Sequence, residues 1–212
     1  MTVIIGYRLN DKVIFATDSV RPRAYDRANR ARANYNINER IVLVRPSIAV
    51  AAVGPSALCE AAVTAIRCAI FDTANQPERT LTDTITCCRD HFCFLYEQSR
   101  KYNPQTPDFL VFLLGGTDPE TGESFLFSFH SRDAFQKSEN LNWIVCGPSQ
   151  EEMFVRNLMV NQMQNIGKLN DQGMLLLFAD FIKTASGFSH AVSSNCYGMF
   201  VGDFPCKEVR ID

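Results

Sequence analysis

The order of the apolar runs constrains the fold more than any other feature of the sequence. Strand-like runs come first, then two helical patterns, more strands, two more helical patterns and a last set of strands. Val3 to Tyr7 and Val13 to Thr17 are β-rich and separated by the turn dipeptide Asn10-Asp11, which predicts an antiparallel hairpin. Ile41 to Val44 and Ile48 to Val53, joined by Arg45-Pro46-Ser47 and closed by Gly54-Pro55, predict a second. Phe109 to Leu114 and Glu123 to Phe129, linked through "DPETGE", predict a third. Trp143 to Cys146, Val192 to Val201 and Lys207 to Ile211 complete the strands. Helical spacing covers Ser56 to Phe71, with Ser56 as its N-cap, and Thr82 to Ser99, with Ile85, Phe92 and Leu95 on the apolar side. Two further helices are predicted over Glu151 to Gln164 and Gln172 to Thr184.

Strict alternation of strand and helix, the mark of a parallel sheet, is missing. Segregated blocks instead predict an α+β fold, a four-layer αββα sandwich in which two antiparallel sheets face each other and each carries a helix pair outside. A chain of 212 residues, 46% hydrophobic and 21% charged, suits one domain over residues 1–212 with a substantial core.

A net charge of -2 gives no electrostatic reason to expect nucleic acid. The apolar runs are far shorter than the roughly 20 residues of a bilayer span, and Arg8 and Asp11 interrupt the first of them, so neither a membrane segment nor a secretory signal is expected. The 8 cysteines lack framework spacing and read as reduced thiols of a cytoplasmic protein. In "CCRDHFC", Cys87 or Cys88 lies one helical turn from His91, with Cys93 near. A structural zinc wants four ligands and usually a loop-borne pair of cysteines, so these read as helix-face thiols and no metal or cofactor is expected. Residues 20–36 carry Arg21, Arg23, Arg27, Arg30 and Arg32, a solvated or subunit-contacting loop, with selection of acidic substrate residues the alternative. His130 and His190 have no partner motif.

Several motifs occur in a telling order: Thr2 at a strand start, "FATDS" ending on Asp18 and Ser19, "IVLV", then "IAVAAVGPSA" leading into a helix. "FLVFLLGGTDPETGESFLFSF", "IVCGPS" before a helix and "TASG" follow. This order resembles the N-terminal nucleophile hydrolases, specifically the proteasome β-subunit family and its bacterial proteasome-like relatives, over nearly the whole chain. The resemblance implies that Thr2, once Met1 is removed, attacks a peptide carbonyl with its own α-amino group as base. An amine with a pKa near ~8 is neutral often enough at pH 7 to take the hydroxyl proton. Asp18 would orient the nucleophile, and the N–H of Gly54 would face the developing oxyanion. Ala52 and Ser56 would line a roomy first substrate pocket. The resemblance further implies a peptide or unfolded-protein substrate, assembly of copies into a ring or helical stack, and a possible ATPase partner.

The motifs also depart from that family. Its lysine on the strand before "IVLV" falls on Asn36, and no lysine occurs between Lys12 and Lys101. The acidic residue expected just before "ASG" is Lys183, whereas Ser186 is kept; a further serine falls on Cys146 or is displaced to Ser149. On one reading Lys183 supplies a relocated cation near Asp18 and Thr2. On another, catalysis is lost and the chain is an inactive assembly subunit. A third is a small-amide amidohydrolase of the same superfamily. Arg32 or Arg40 could also bring charge, but a guanidinium fits a salt bridge better than proton transfer.

Overall fold

Alternation along the first hairpin decides the layering. The structure, a computed structural model, describes residues 2–18, 40–71, 80–105, 109–189, 192, 194–202 and 207–211. Strand β1 (Ile4–Arg8) pairs antiparallel with β2 (Val13–Asp18), Ile4 opposite Thr17 and Arg8 opposite Val13. Successive side chains leave opposite faces of a strand. Val3, Ile5, Ile14 and Ala16 therefore enter one apolar cluster, and Ile4, Val13 and Phe15 enter another. Both faces are covered, which is why these strands read as continuous apolar runs.

The hairpin is the centre of a five-stranded sheet ordered β7-β1-β2-β8-β9, with β7 at Trp143–Cys146, β8 at Cys196–Val201 and β9 at Lys207–Ile211. A four-stranded sheet runs β3-β4-β5-β6 in order, through Ile41–Arg45, Ile48–Val53, Val111–Thr117 and Ser124–His130. All pairings in both sheets are antiparallel. Four helices accompany them: α1 (Ser56–Phe71), α2 (Leu81–Tyr102), α3 (Ser149–Ile166) and α4 (Asp171–Ser186).

Three apolar clusters sort these elements. Val3, Ile5 and Ala16 meet Val155 and Met159 of α3 and Phe178 and Ile182 of α4. Phe15 and Ile4 meet Ala49, Ala51, Val111 and Leu113 of the other sheet. The outer face of that second sheet packs on α1 and α2, where the rings of Phe92, Phe112 and Phe129 stack at 4.0 and 4.2 Å. The chain is thus mixed α+β with two antiparallel sheets and four helices, an arrangement compatible with the expected sandwich.

Several boundaries differ from the sequence-based expectation. Ser56 is the first helical residue of α1, because the N–H of Cys59 donates to the Pro55 carbonyl at 3.0 Å and the capping place falls on Pro55. α2 runs longer at both ends: the Thr80 hydroxyl accepts from Asp83 N–H at 3.1 Å, the Asp83 carboxylate accepts from Thr80 N–H at 3.1 Å, and this reciprocal cap starts the helix. β8 begins at Cys196, so the predicted strand from Val192 is too long. The arginine-rich residues 20–36, including Arg32 and Asn36, lie outside the described residues, as do His190 and Cys206. Among the described residues no helix is long and apolar enough to cross a membrane.

Candidate active site

The register of β1 and β2 brings Thr2 and Asp18 to one end of the five-stranded sheet. Asp18, the last residue of β2, is fully buried, and its Oδ1 accepts the N–H of Val3 at 2.8 Å. Its own N–H donates to the Val3 carbonyl at 3.4 Å. The carboxylate therefore holds the peptide that joins Thr2 to Val3. Thr2 is itself fully buried, and its Oγ1 has no hydrogen-bond partner among the described residues. Burying a hydroxyl unsatisfied costs about 1–3 kcal/mol, which marks the atom as one to be explained.

Gly147 closes the other side of this strand end. Cys146, the residue before it, pairs with Ile4 in the β1–β7 register. A Cβ on Gly147 would lie 2.9 Å from Val3 Cγ2 and 3.4 Å from the Thr2 carbonyl oxygen, so only glycine admits the N-terminal segment this closely. The N–H of Gly147 donates to Glu152 Oε2 at 3.2 Å, and Glu152 Oε1 pairs with Arg156 at 2.9 Å. The neighbouring Glu151 is buried and accepts a short hydrogen bond from the Ser189 hydroxyl. Burial pushes the Cys146 thiol well above its ordinary value, with Glu152 adding to the shift and Arg156 opposing it.

The second sheet ends at the same place. The β1–β2 turn touches the β5–β6 turn: the Thr117 hydroxyl donates to the Asp11 carbonyl at 3.1 Å and Ser124 donates to the Leu9 carbonyl. The opposite end of β5 is Val111, which pairs with Val53 of β4 and with His130 of β6. Gly54 follows Val53, so Thr2, Asp18 and Gly54 all lie at the end of the two sheets away from those turns. Gly54 has φ +156°, and a Cβ there would meet Leu110 Cδ1 at 2.8 Å and the Phe109 carbonyl at 3.1 Å. Position 54 thus tolerates no side chain. His130 is half-buried at this end, and burial lowers its pKa against the raising effect of Asp133 and Glu152.

The remaining expected residues sort by layer. Ala52 is buried in the cluster that faces α1 and α2, with its N–H on the Arg40 carbonyl at 3.0 Å. Ser56 opens α1, two residues after Gly54. Lys183 is half-buried in the last turn of α4. The Ser186 hydroxyl donates to the Lys183 carbonyl at 2.7 Å and is occupied at the end of its own helix. Ser149 is the first residue of α3. In "CCRDHFC", Cys88 is buried in the core, Cys87 Sγ lies 3.7 Å from His91 Nδ1, and Cys93 donates to Glu97 at 3.7 Å. Among the described residues no cluster of three or more His, Cys, Asp or Glu has metal-site geometry, and the seven described cysteines are free thiols.

Gly147 and Glu152 are absent from the sequence-based set. Their only signal is "IVCGPS" before a helix, and what gives them weight is the pairing of β7 with β1, which no local pattern encodes. No protein-family model matches the chain, and no curated protein matches it significantly.

Proposed function

We propose that the chain is a threonine-type peptide hydrolase of the proteasome β-subunit kind, with the αββα architecture of the N-terminal nucleophile hydrolases. The observation that carries this reading is the strand end itself. Thr2 presents a buried hydroxyl without a partner, on a peptide clasped by the Asp18 carboxylate, at the sheet end that also bears Gly54.

With Met1 removed, the Thr2 α-amino group takes the proton from Oγ1 as that oxygen bonds to the substrate carbonyl carbon. The carbonyl oxygen gains the negative charge, and the Gly54 N–H is the donor assigned to it. Collapse of this intermediate breaks the C–N bond, and the departing amine takes the proton held by the α-amino group. Water then attacks the resulting ester with the same amine as base, releasing the acid and restoring Thr2. Asp18 fixes the Thr2–Val3 peptide throughout. In this reading the substrate is a peptide or unfolded protein, and copies of the chain assemble into a ring or stack.

The complete burial of Thr2 favours one second reading, an inactive assembly subunit of the same fold. A covalent inhibitor directed at N-terminal threonine separates the two. The wild-type protein should gain one inhibitor mass on the Thr2 peptide, and Thr2→Ala should gain none. A chain that retains Met1, or that takes no label where an authentic proteasome does, sinks the catalytic reading.

A further inference from the structure

A carboxylate withdrawn from water as completely as that of Asp18 needs both hydrogen bonds and a counter-charge. Val3 N–H supplies one hydrogen bond at 2.8 Å. The β2–β8 register sets Cys196 directly opposite Asp18, so the two side chains leave the same face of the sheet. That face is covered by α4, and Cys196 belongs to the cluster it forms. Cys196 Sγ reaches the Ala179 carbonyl of α4 at 3.6 Å. Lys183 stands one helical turn after Ala179, on the same side of the helix, and is half-buried. Its ammonium also lies at the C-terminal end of α4, where the carbonyl ends favour a cation.

We infer that Lys183 is a positioning residue: from the helix side of the five-stranded sheet, across Cys196, it acts as counter-ion to Asp18 and keeps that carboxylate charged on the Thr2–Val3 peptide. Its consequence for catalysis rests on the proposed role of Thr2; the ion pairing does not. The field at Cys196 agrees with this placement. Burial raises the Cys196 thiol to about 12, Lys183 pulls it down, and Asp18 and then Asp180 push it up. Of these groups Asp180 is exposed. Cys196 is small enough to let the charges act across it, and Lys183 works through Asp18 without touching the reacting atoms.

The test is amide hydrogen exchange at Val3, whose N–H sits on the Asp18 carboxylate, measured beside labelling of Thr2. Lys183→Met should lower protection of the Val3 amide about tenfold and slow labelling by about tenfold or more, one pKa unit of lost charge preference being about tenfold. Lys183→Arg should restore most of both, which loss of mere packing would not allow. The double variant Asp18→Asn with Lys183→Met should lose no more than Asp18→Asn alone. Lys183→Gln serves in place of Lys183→Met if the latter does not fold. Unchanged Val3 protection in Lys183→Met, or in Lys183→Gln where it stands in, or losses that simply add to that of Asp18→Asn, overturns the inference. If wild-type protein takes no label, the role of Thr2 fails, and the exchange cycle still decides the role of Lys183.

Discussion

Gly147 shows how one missing Cβ shapes the candidate site. The atom it lacks would stand 2.9 Å from Val3 Cγ2, inside van der Waals contact, and beside the Thr2 carbonyl. Gly147→Ala should therefore push the start of β1 away from β7, cost about 1–3 kcal/mol in urea unfolding and slow labelling of Thr2. A stable variant with full labelling would show that the close approach is incidental. His130, at the same end of the fold, gives a pH signature. Burial lowers its folded-state pKa below the ordinary value, so the unfolded chain binds the proton more readily. Stability is then retained above the ordinary histidine range and lost as the pH falls through it. Urea midpoints between pH 8 and pH 5 should fall more for wild type than for His130→Gln, and parallel curves would refute this. That Thr2 and Asp18 meet at one strand end is legible in the sequence, because a single predicted hairpin joins them. The places of Gly147, Glu152 and Cys196 are not, because they follow from strands that pair across more than a hundred residues.

At the level of elements, local chemistry set the kind of each segment better than its ends. α2 is the clearest case. Its start is fixed by the reciprocal bonds of Thr80 and Asp83, just before the apolar periodicity begins, so spacing alone placed the helix late. Thr80→Ala removes the cap and should cost about 1 kcal/mol in urea unfolding. It should leave Thr2 labelling of the folded protein intact, since α2 packs on the sheet face remote from Thr2. A loss of labelling would mean that α2 bears on the site. β8 shows the opposite error. Val192 is apolar, but Ser193, Ser194 and Asn195 separate it from the next apolar run, and pairing starts only where Cys196 finds Asp18 across the ladder. Hydrophobicity marks burial, and Val192 is indeed buried, but the ladder decides where a strand begins.

For the molecule as a whole, the proposed site is composite. Thr2 and Asp18 belong to one sheet and Gly54 to the end of the other, so the distance between nucleophile and oxyanion donor depends on how the sheets sit against each other. Phe15 is the central spacer. It is fully buried in the cluster between the sheets, and backbone on both sides makes room for it: a Cβ on Gly115 would lie 2.8 Å from its ring and one on Gly6 3.3 Å. Large side chains packed into glycine hollows fix sheet spacing through contact alone, because a packed interior yields little to compression and collapses only partly around a void. Phe15→Leu should thus cost about 1–3 kcal/mol and also slow Thr2 labelling of the folded protein. Phe92→Leu is the matched control. Phe92 is equally buried but lies in the outer cluster, stacked on Phe112 and remote from the gap between the sheets. It should destabilise to a similar degree and leave labelling nearly unchanged. Labelling rates measured at a temperature where both variants are folded separate the two effects. Equal slowing by both would mean that stability alone sets reactivity, and the dependence of the site on sheet spacing would have to be given up.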